Sequence, residues 1–178
     1  GWQATGVEPS KWASDYARNV TKVEVHTGFL SENAQSLRKP VDAVVSLDVL
    51  EHVRHPVEFL RECSAYLEPG GMLYISTLDT SNWFARLLGR RWPWLMDMHI
   101  QYFDIKSVSD VMNRAGFDLI NHEPYTHYAR VRYALQGASR VFPAFLSPII
   151  GIVAELIPEG WLVPFAFGDI RFYVGRKR

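Results

Sequence analysis

The hydrophobic pattern changes period several times along the chain. Trp2-Gln3-Ala4-Thr5-Gly6-Val7 is a short strand-like run, and after Glu8-Pro9-Ser10 the apolar positions Ala13, Tyr16, Ala17 and Val20 recur at helical spacing. Ser10 is placed to cap that helix, because its hydroxyl can accept a backbone N–H that the first turn leaves unpaired. A brief strand over residues 23–25 and a polar loop follow. Val41-Asp42-Ala43-Val44-Val45-Ser46-Leu47 is then nearly continuous, the pattern of a strand buried on both faces of a parallel sheet.

Pro56 opens a second helix that aligns Leu60, Cys63 and Leu67 on one face, and Glu68-Pro69-Gly70-Gly71 ends it. Residues 72–76 read as a strand. A further helix from about Ser107 to Ala115 buries Val108, Val111, Met112 and Ala115, with Gly116 suited to the left-handed turn that stops it. Residues 117–120 begin another strand, and the alternation from Asp169 to Gly175 suits a final strand with one covered face. Strands separated by helices imply an open α/β sheet, since parallel neighbours need helical crossovers. The uncharged stretch from Val141 to Ala154 is shorter than the roughly 20 residues of a membrane span. It reads first as core-covering helices and second as a shallow, peripheral membrane contact.

At 178 residues and 48% hydrophobic content, the chain suffices for one well-cored domain, residues 1–178, and not for two ordinary ones. Nineteen basic residues balance nineteen acidic ones, so no overall field points to nucleic acid or an anionic surface. The single cysteine, Cys63, has no intrachain partner, which suits a reducing, cytoplasmic setting. It reads as a small buried apolar side chain. The segment 1–7 lacks the basic and long apolar regions of a secretory signal.

Three sets of residues could carry chemistry. Glu8 ends the first strand at the carboxyl edge of the expected sheet, where ligands collect, and a carboxylate there can accept hydrogen bonds from both hydroxyls of a ribose. Such an acid ordinarily follows a glycine-rich turn by roughly 20 residues, yet only seven residues precede Glu8. His52 and His99 each follow the end of an expected strand, and a neutral imidazole can take a hydroxyl proton near neutrality. Trp83, Phe84, Trp92, Trp94, Tyr102 and Phe103 cluster after the next strand, interleaved with Arg86, Arg90 and Arg91. This cluster reads either as a lid packed on the sheet or as the wall of a site for an apolar or aromatic molecule with an anionic tail.

The run Ser46-Leu47-Asp48-Val49-Leu50-Glu51-His52-Val53 resembles the fourth motif of class I methyltransferases, in the branch similar to ubiquinone-biosynthesis O-methyltransferases and the type 11 and type 23 enzymes. The match continues through Leu67-Glu68-Pro69-Gly70-Gly71, His99-Ile100-Gln101-Tyr102-Phe103 and Ala115-Gly116-Phe117, while Gly6-Val7-Glu8-Pro9-Ser10 fits the second strand and its ribose-binding acid. It covers residues 1 to about 122, and its strength lies in several motifs occurring in order.

The resemblance implies a Rossmann-like, mostly parallel seven-stranded sheet with an antiparallel last strand. It also implies S-adenosylmethionine across the strand ends and methyl transfer to a small-molecule acceptor, with oxygen favoured. Carried over, Glu8 would hold the ribose, Phe29 and Leu30 would flank the adenine, and Ser46, Leu47 and Asp48 would face the methionine part. The D-x-x-E-H spacing of Asp48, Glu51 and His52, joined by His99, also resembles divalent-metal sites of some relatives. The glycine-rich first motif has no counterpart in these residues, so the sheet is expected to lack its first strand and helix, and the chain alone to bind cofactor feebly. The alternatives are a noncatalytic, degenerate member that acts by packing against another chain, and a nicotinamide oxidoreductase. The latter leaves the Glu51-His52 and Pro69-Gly70-Gly71 matches unexplained.

Overall fold

The computed structural model describes residues 1–33, 35–37, 40–132, 135 and 144–178. In chain order its regular elements are β1 (Thr5–Glu8), α1 (Lys11–Tyr16), β2 (Glu24–Thr27), β3 (Val41–Leu47), α2 (Pro56–Tyr66), β4 (Leu67–Leu78), α3 (Trp83–Leu88) and α4 (Ile105–Arg114). These are followed by β5 (Phe117–Pro124), β6 (His127–Arg130), α5 (Ser147–Leu156), β7 (Leu162–Phe165) and β8 (Ile170–Lys177). A four-stranded sheet has the order β3-β4-β8-β5. β3 and β4 are parallel, and β8 is antiparallel to both β4 and β5, so β5 runs in the direction of β4. The last strand is thus the antiparallel one, and it lies inside the sheet.

β1 and β2 form a separate parallel pair, and β6 pairs with β7 antiparallel. Among the described residues no ladder joins β1 to β3. β3 is also less covered than the sequence predicts, which is burial on both faces. Val41 and Val44 pack against the core, but Val45 and Leu47 are exposed (63% and 43%). The composition is that of a central strand, while the described elements cover only one of its faces.

Ser10 caps α1, accepting from the Ala13 N–H at 3.3 Å, but the apolar face expected there stays largely in solvent, with Ser14 the buried residue of the helix. α2 begins with Pro56 at its first turn and buries Val57, Leu60, Cys63 and Tyr66. Burial and the nearby Glu62 charge push the Cys63 thiol up to about 12, as an inert core residue requires. Leu67, read above as the last residue of the helical face, instead opens β4. Its backbone is extended (φ −80°, ψ 144°), it pairs with Val41, and the ladder resumes at Met72 after the irregularity that Pro69-Gly70-Gly71 accommodates.

The main core joins α2 and α4 to one face of the sheet through Leu60, Leu73, Ile75, Met112, Phe117 and Tyr173. Gly175 of β8 lies where any Cβ would meet the end of the Met112 side chain and Phe117, so α4 packs directly over the bare backbone.

α4 starts two residues before the predicted Ser107. Asp104 caps it by accepting the Ser107 N–H at 2.7 Å, while the Ser107 hydroxyl accepts from the Asp104 N–H at 2.8 Å. The hydrogen bonds from Ser107 hold the Asp104 carboxyl below its ordinary value. A carboxylate with a depressed folded-state pKa stabilises the fold above its unfolded value and loses that contribution as pH falls through the folded one. Asp104→Ala is therefore expected to cost about 1 kcal/mol at neutral pH. The gap between variant and natural protein, followed by urea unfolding, should close on acidification; a gap that persists would contradict this role.

The stretch predicted as core-covering helices behaves differently. Residues 141–143 lie outside the described set, and α5 forms but buries only Ala154, leaving Ile149, Ile152, Val153 and Leu156 exposed. Apolar composition alone did not say which side, if any, the rest of the domain would cover. No helix among the described residues is long and apolar enough to cross a membrane.

Candidate functional site

β3 and β4 end side by side, and their last residues are bolted together. Asp48 takes a left-handed conformation (φ 54°) that turns the chain, a geometry Asp tolerates better than most residues. Its N–H donates to the Ser76 carbonyl (3.2 Å) and hydroxyl oxygen (3.0 Å), and the Ser76 hydroxyl donates to the Asp48 carboxylate at 2.6 Å. The turn continues into a 3₁₀ segment, Leu50–His52, which buries Leu50 and Glu51. The Glu51 carboxylate is 2% exposed and accepts the Thr77 hydroxyl of β4 at 2.9 Å.

The Glu51 carbonyl accepts the N–H groups of Ile100 and Gln101 at 3.0 and 3.1 Å, which draws the segment containing His99 onto the turn containing His52. The two imidazole rings lie 4.8 Å apart. Nδ1 of His52 faces the Met98 carbonyl at 2.8 Å, and Nδ1 of His99 faces the Trp94 carbonyl at 2.7 Å. A carbonyl can only accept, so each Nδ1 carries the hydrogen, and in the neutral ring Nε2 is left with a lone pair. One potential ligand atom from each of Glu51, His52 and His99 lies within 4.8 Å of the others.

A third layer holds His99. Trp94 donates its indole N–H to the carboxylate of Asp169 at 2.7 Å, and the Tyr102 hydroxyl donates to the same Trp94 carbonyl that accepts from His99. Asp169 is buried (4%), so it acts on His99 through Trp94 as a positioning residue.

The expected residues divide into groups. Glu51, His52 and His99 come together as their spacing suggested, whereas the Asp48 carboxylate is engaged by Ser76 and is not part of the cluster. Ser46 is half-buried and Leu47 exposed near the same strand end. Glu8 and Phe29 share the other edge: Glu8 pairs with Thr27, and its carbonyl accepts the Gly28 N–H at 3.1 Å. One oxygen of the Glu8 carboxylate accepts the Ser10 N–H at 2.7 Å, and the Phe29 ring is 61% exposed. Leu30, one residue on, is half-buried against the core and offers its carbonyl to the Tyr66 hydroxyl at 3.3 Å.

The aromatic cluster also divides. Trp92 and Phe103 are core residues, Trp94 supports His99, and Trp83 stays exposed. Thr77 and Asp169 were missed, because a threonine inside a strand and an acid 75 residues from its tryptophan partner carry no local signal.

A parallel β3–β4 pair with convergent polar side chains beyond its carboxyl ends defines a ligand-binding α/β domain of the Rossmann-like class. Residues 1–122 match the methyltransferase domain family, and the chain belongs to it. Among curated relatives, it is 32% identical over 84 residues to a ubiquinone biosynthesis O-methyltransferase of Caulobacter vibrioides (44% of this chain, 33% of that one). It is 31% identical over 99 residues to the enzyme of the same name from Maricaulis maris (52% of this chain, 39% of that one). The matches thus span about a third of the length of these relatives.

The fold is shared with a SAM-dependent methyltransferase of Thermotoga maritima (TM-score 0.61, 19% identity, 98% of this chain and 72% of that one). It is also shared with one of Archaeoglobus fulgidus (TM-score 0.60, 14% identity, 97% and 75%).

Proposed function

We propose that this domain transfers a methyl group from S-adenosylmethionine to a hydroxyl oxygen of a small molecule. The observation that carries the reading is the pair of imidazoles, each with Nδ1–H spent on a backbone carbonyl and Nε2 left to act, beside a buried carboxylate at the sheet's carboxyl edge. Oxygen is favoured because the curated relatives are O-methyltransferases by name.

S-adenosylmethionine supplies an electrophilic methyl carbon on a sulfonium. With that methyl group as electrophile, Nε2 of His99 would take the proton of the acceptor hydroxyl as its oxygen is methylated, the products being a methyl ether and S-adenosylhomocysteine. His52 lies alongside, and Asp169 fixes the ring through Trp94. The β1–β2 edge fits the nucleoside, with the Glu8 carboxylate as acceptor for ribose hydroxyls and the exposed Phe29 ring as a surface for adenine. The buried, reduced Cys63 suits a cytoplasmic setting.

The same cluster supports a second reading. Two imidazole nitrogens and one carboxylate form a donor set suited to a divalent cation, with each Nδ1–H held as in protein metal sites. Bound there, the ion would lower the pKa of an acceptor hydroxyl.

Incubating the full-length natural protein with methyl-labelled S-adenosylmethionine and a panel of phenols and catechols tests the proposal. Label should appear in a methyl ether with an equal yield of S-adenosylhomocysteine, and activity lost to a chelator and restored by divalent ion would select the metal reading. Cofactor consumption with no oxygen-methylated product would overturn oxygen as acceptor, and no consumption at all would favour the noncatalytic alternative. Glu8→Ala should weaken S-adenosylmethionine binding by about 1.5–3 kcal/mol per lost charge-assisted bond. Unchanged affinity by calorimetry would remove Glu8 from the site.

A further inference from the structure

Beyond the histidine pair, the carboxyl ends of β4 and β5 border a cleft of about 370 Å³, within the size range of small-molecule sites. Its apolar walls are Trp83, Pro124, Ala166 and Phe167, and its polar groups include Asn82 and Arg171. We propose that this cleft binds an aromatic carboxylate, with the ring against Trp83 and Phe167 and the carboxylate on the Arg171 guanidinium. That the ligand is the end of the methyl acceptor remote from its reacting hydroxyl rests on the methyl-transfer reading; the binding itself does not.

The aromatic wall is built before any ligand arrives. Phe167 stacks on Phe84 with ring centroids 4.4 Å apart and planes at 16°, and Trp83 meets Phe84 edge-on at 5.7 Å. Two rings are therefore held by a third, and Trp83 keeps 63% of its surface in solvent for a planar partner. Asn82 is fixed as the cap of α3, accepting the Ala85 N–H at 2.8 Å.

Arg171 is equally constrained. Its Nε donates to Asp79 at 3.1 Å, its side chain is only 15% exposed, and Asp79 is fully buried with its other oxygen accepting the Ser81 N–H and hydroxyl. Nη1 lies 3.3 Å from Nδ1 of His122, and Nη2 has no hydrogen-bond partner among the described residues. Asp79 offsets the charge of the guanidinium while fixing its plane. Affinity for an anion must therefore come from donor geometry, which suits a planar carboxylate better than a diffuse anionic surface.

The cleft is also tied to the histidine cluster. Gly168 on its rim precedes Asp169, which holds Trp94, whose carbonyl orients His99. A ligand lying against Phe167 and Arg171 would thus border the segment that positions the proposed base. Arg171 takes the part that Arg86, Arg90 and Arg91 play in the sequence reading; those three are exposed outside the cleft lining.

Calorimetric titration of the full-length natural protein with 2-naphthoate and with its neutral amide, both without S-adenosylmethionine, tests the cleft apart from catalysis. The carboxylate should bind about tenfold more tightly than the amide. Trp83→Ala should weaken both ligands, and Arg171→Met should erase the preference while amide binding survives. Should Arg171→Met fail to fold with Asp79 left unpaired, Arg171→Lys keeps the charge, loses the fork and should still reduce the preference. Equal affinity for the two ligands, or unchanged affinity in Trp83→Ala, would overturn the proposal. Naphthoate that binds as expected but leaves methyl transfer uninhibited at saturation would keep the site and overturn its assignment to the acceptor.

Discussion

Replacing His99 with alanine is expected to lower turnover by about 10²- to 10⁴-fold, the range for loss of a general base, while S-adenosylmethionine affinity changes little. The separation of effects follows from geometry. His99 belongs to the cluster at the ends of β3 and β4, whereas the nucleoside end is assigned to Glu8 and Phe29 at the β1–β2 edge. Single-turnover rates and calorimetry on the same preparations check it. A variant that keeps its rate would reduce His99 to a packing residue held by Trp94. A divalent ion that restores chelated natural protein but not the variant would assign His99 to the metal.

Phe117→Ala is expected to destabilise the fold by about 3–5 kcal/mol, the range for removing a buried phenylalanine. Phe117 is fully buried where β5 follows α4, and it lies beside Gly175, so its removal opens a hole between helix and sheet. A backbone already bare at Gly175 has no side chain with which to refill it. Urea unfolding gives the figure directly, and a loss below about 1 kcal/mol would mean that the site collapses far better than large-to-small core changes usually allow.

Most of the framework was legible because it rests on local signals. Val41–Leu47 emerged as a strand over its full length, Pro56 began α2, and the spacing of Val108, Val111 and Met112 marked the buried face of α4. The Glu51-His52 pair and His99 were legible as candidates because each follows a strand end.

What local pattern could not supply was pairing. The alternation of β8 reports its covered face but not its neighbours, and its place between β4 and β5 is decided by contacts far along the chain. The exposed side of β3 is the converse: its residues report an environment that the described elements do not provide.

The interior position of β8 also governs the order in which the molecule can take shape. Arg171 and Asp79 lie 92 residues apart, and Asp169 and Trp94 lie 75 apart, so both contacts close very long loops. Until β8 is in place, β4 and β5 have no strand between them, and the hydrogen-bonding edges they present are open to wrong partners. The local helices can form early, but the sheet closes late, as folds dominated by distant pairings do. Asp169, which braces Trp94 behind His99, and Phe167 and Arg171 of the cleft lie on or beside that same strand. The histidine cluster is thus encoded well before the residues that brace it, and its support comes only with the strand that closes the sheet.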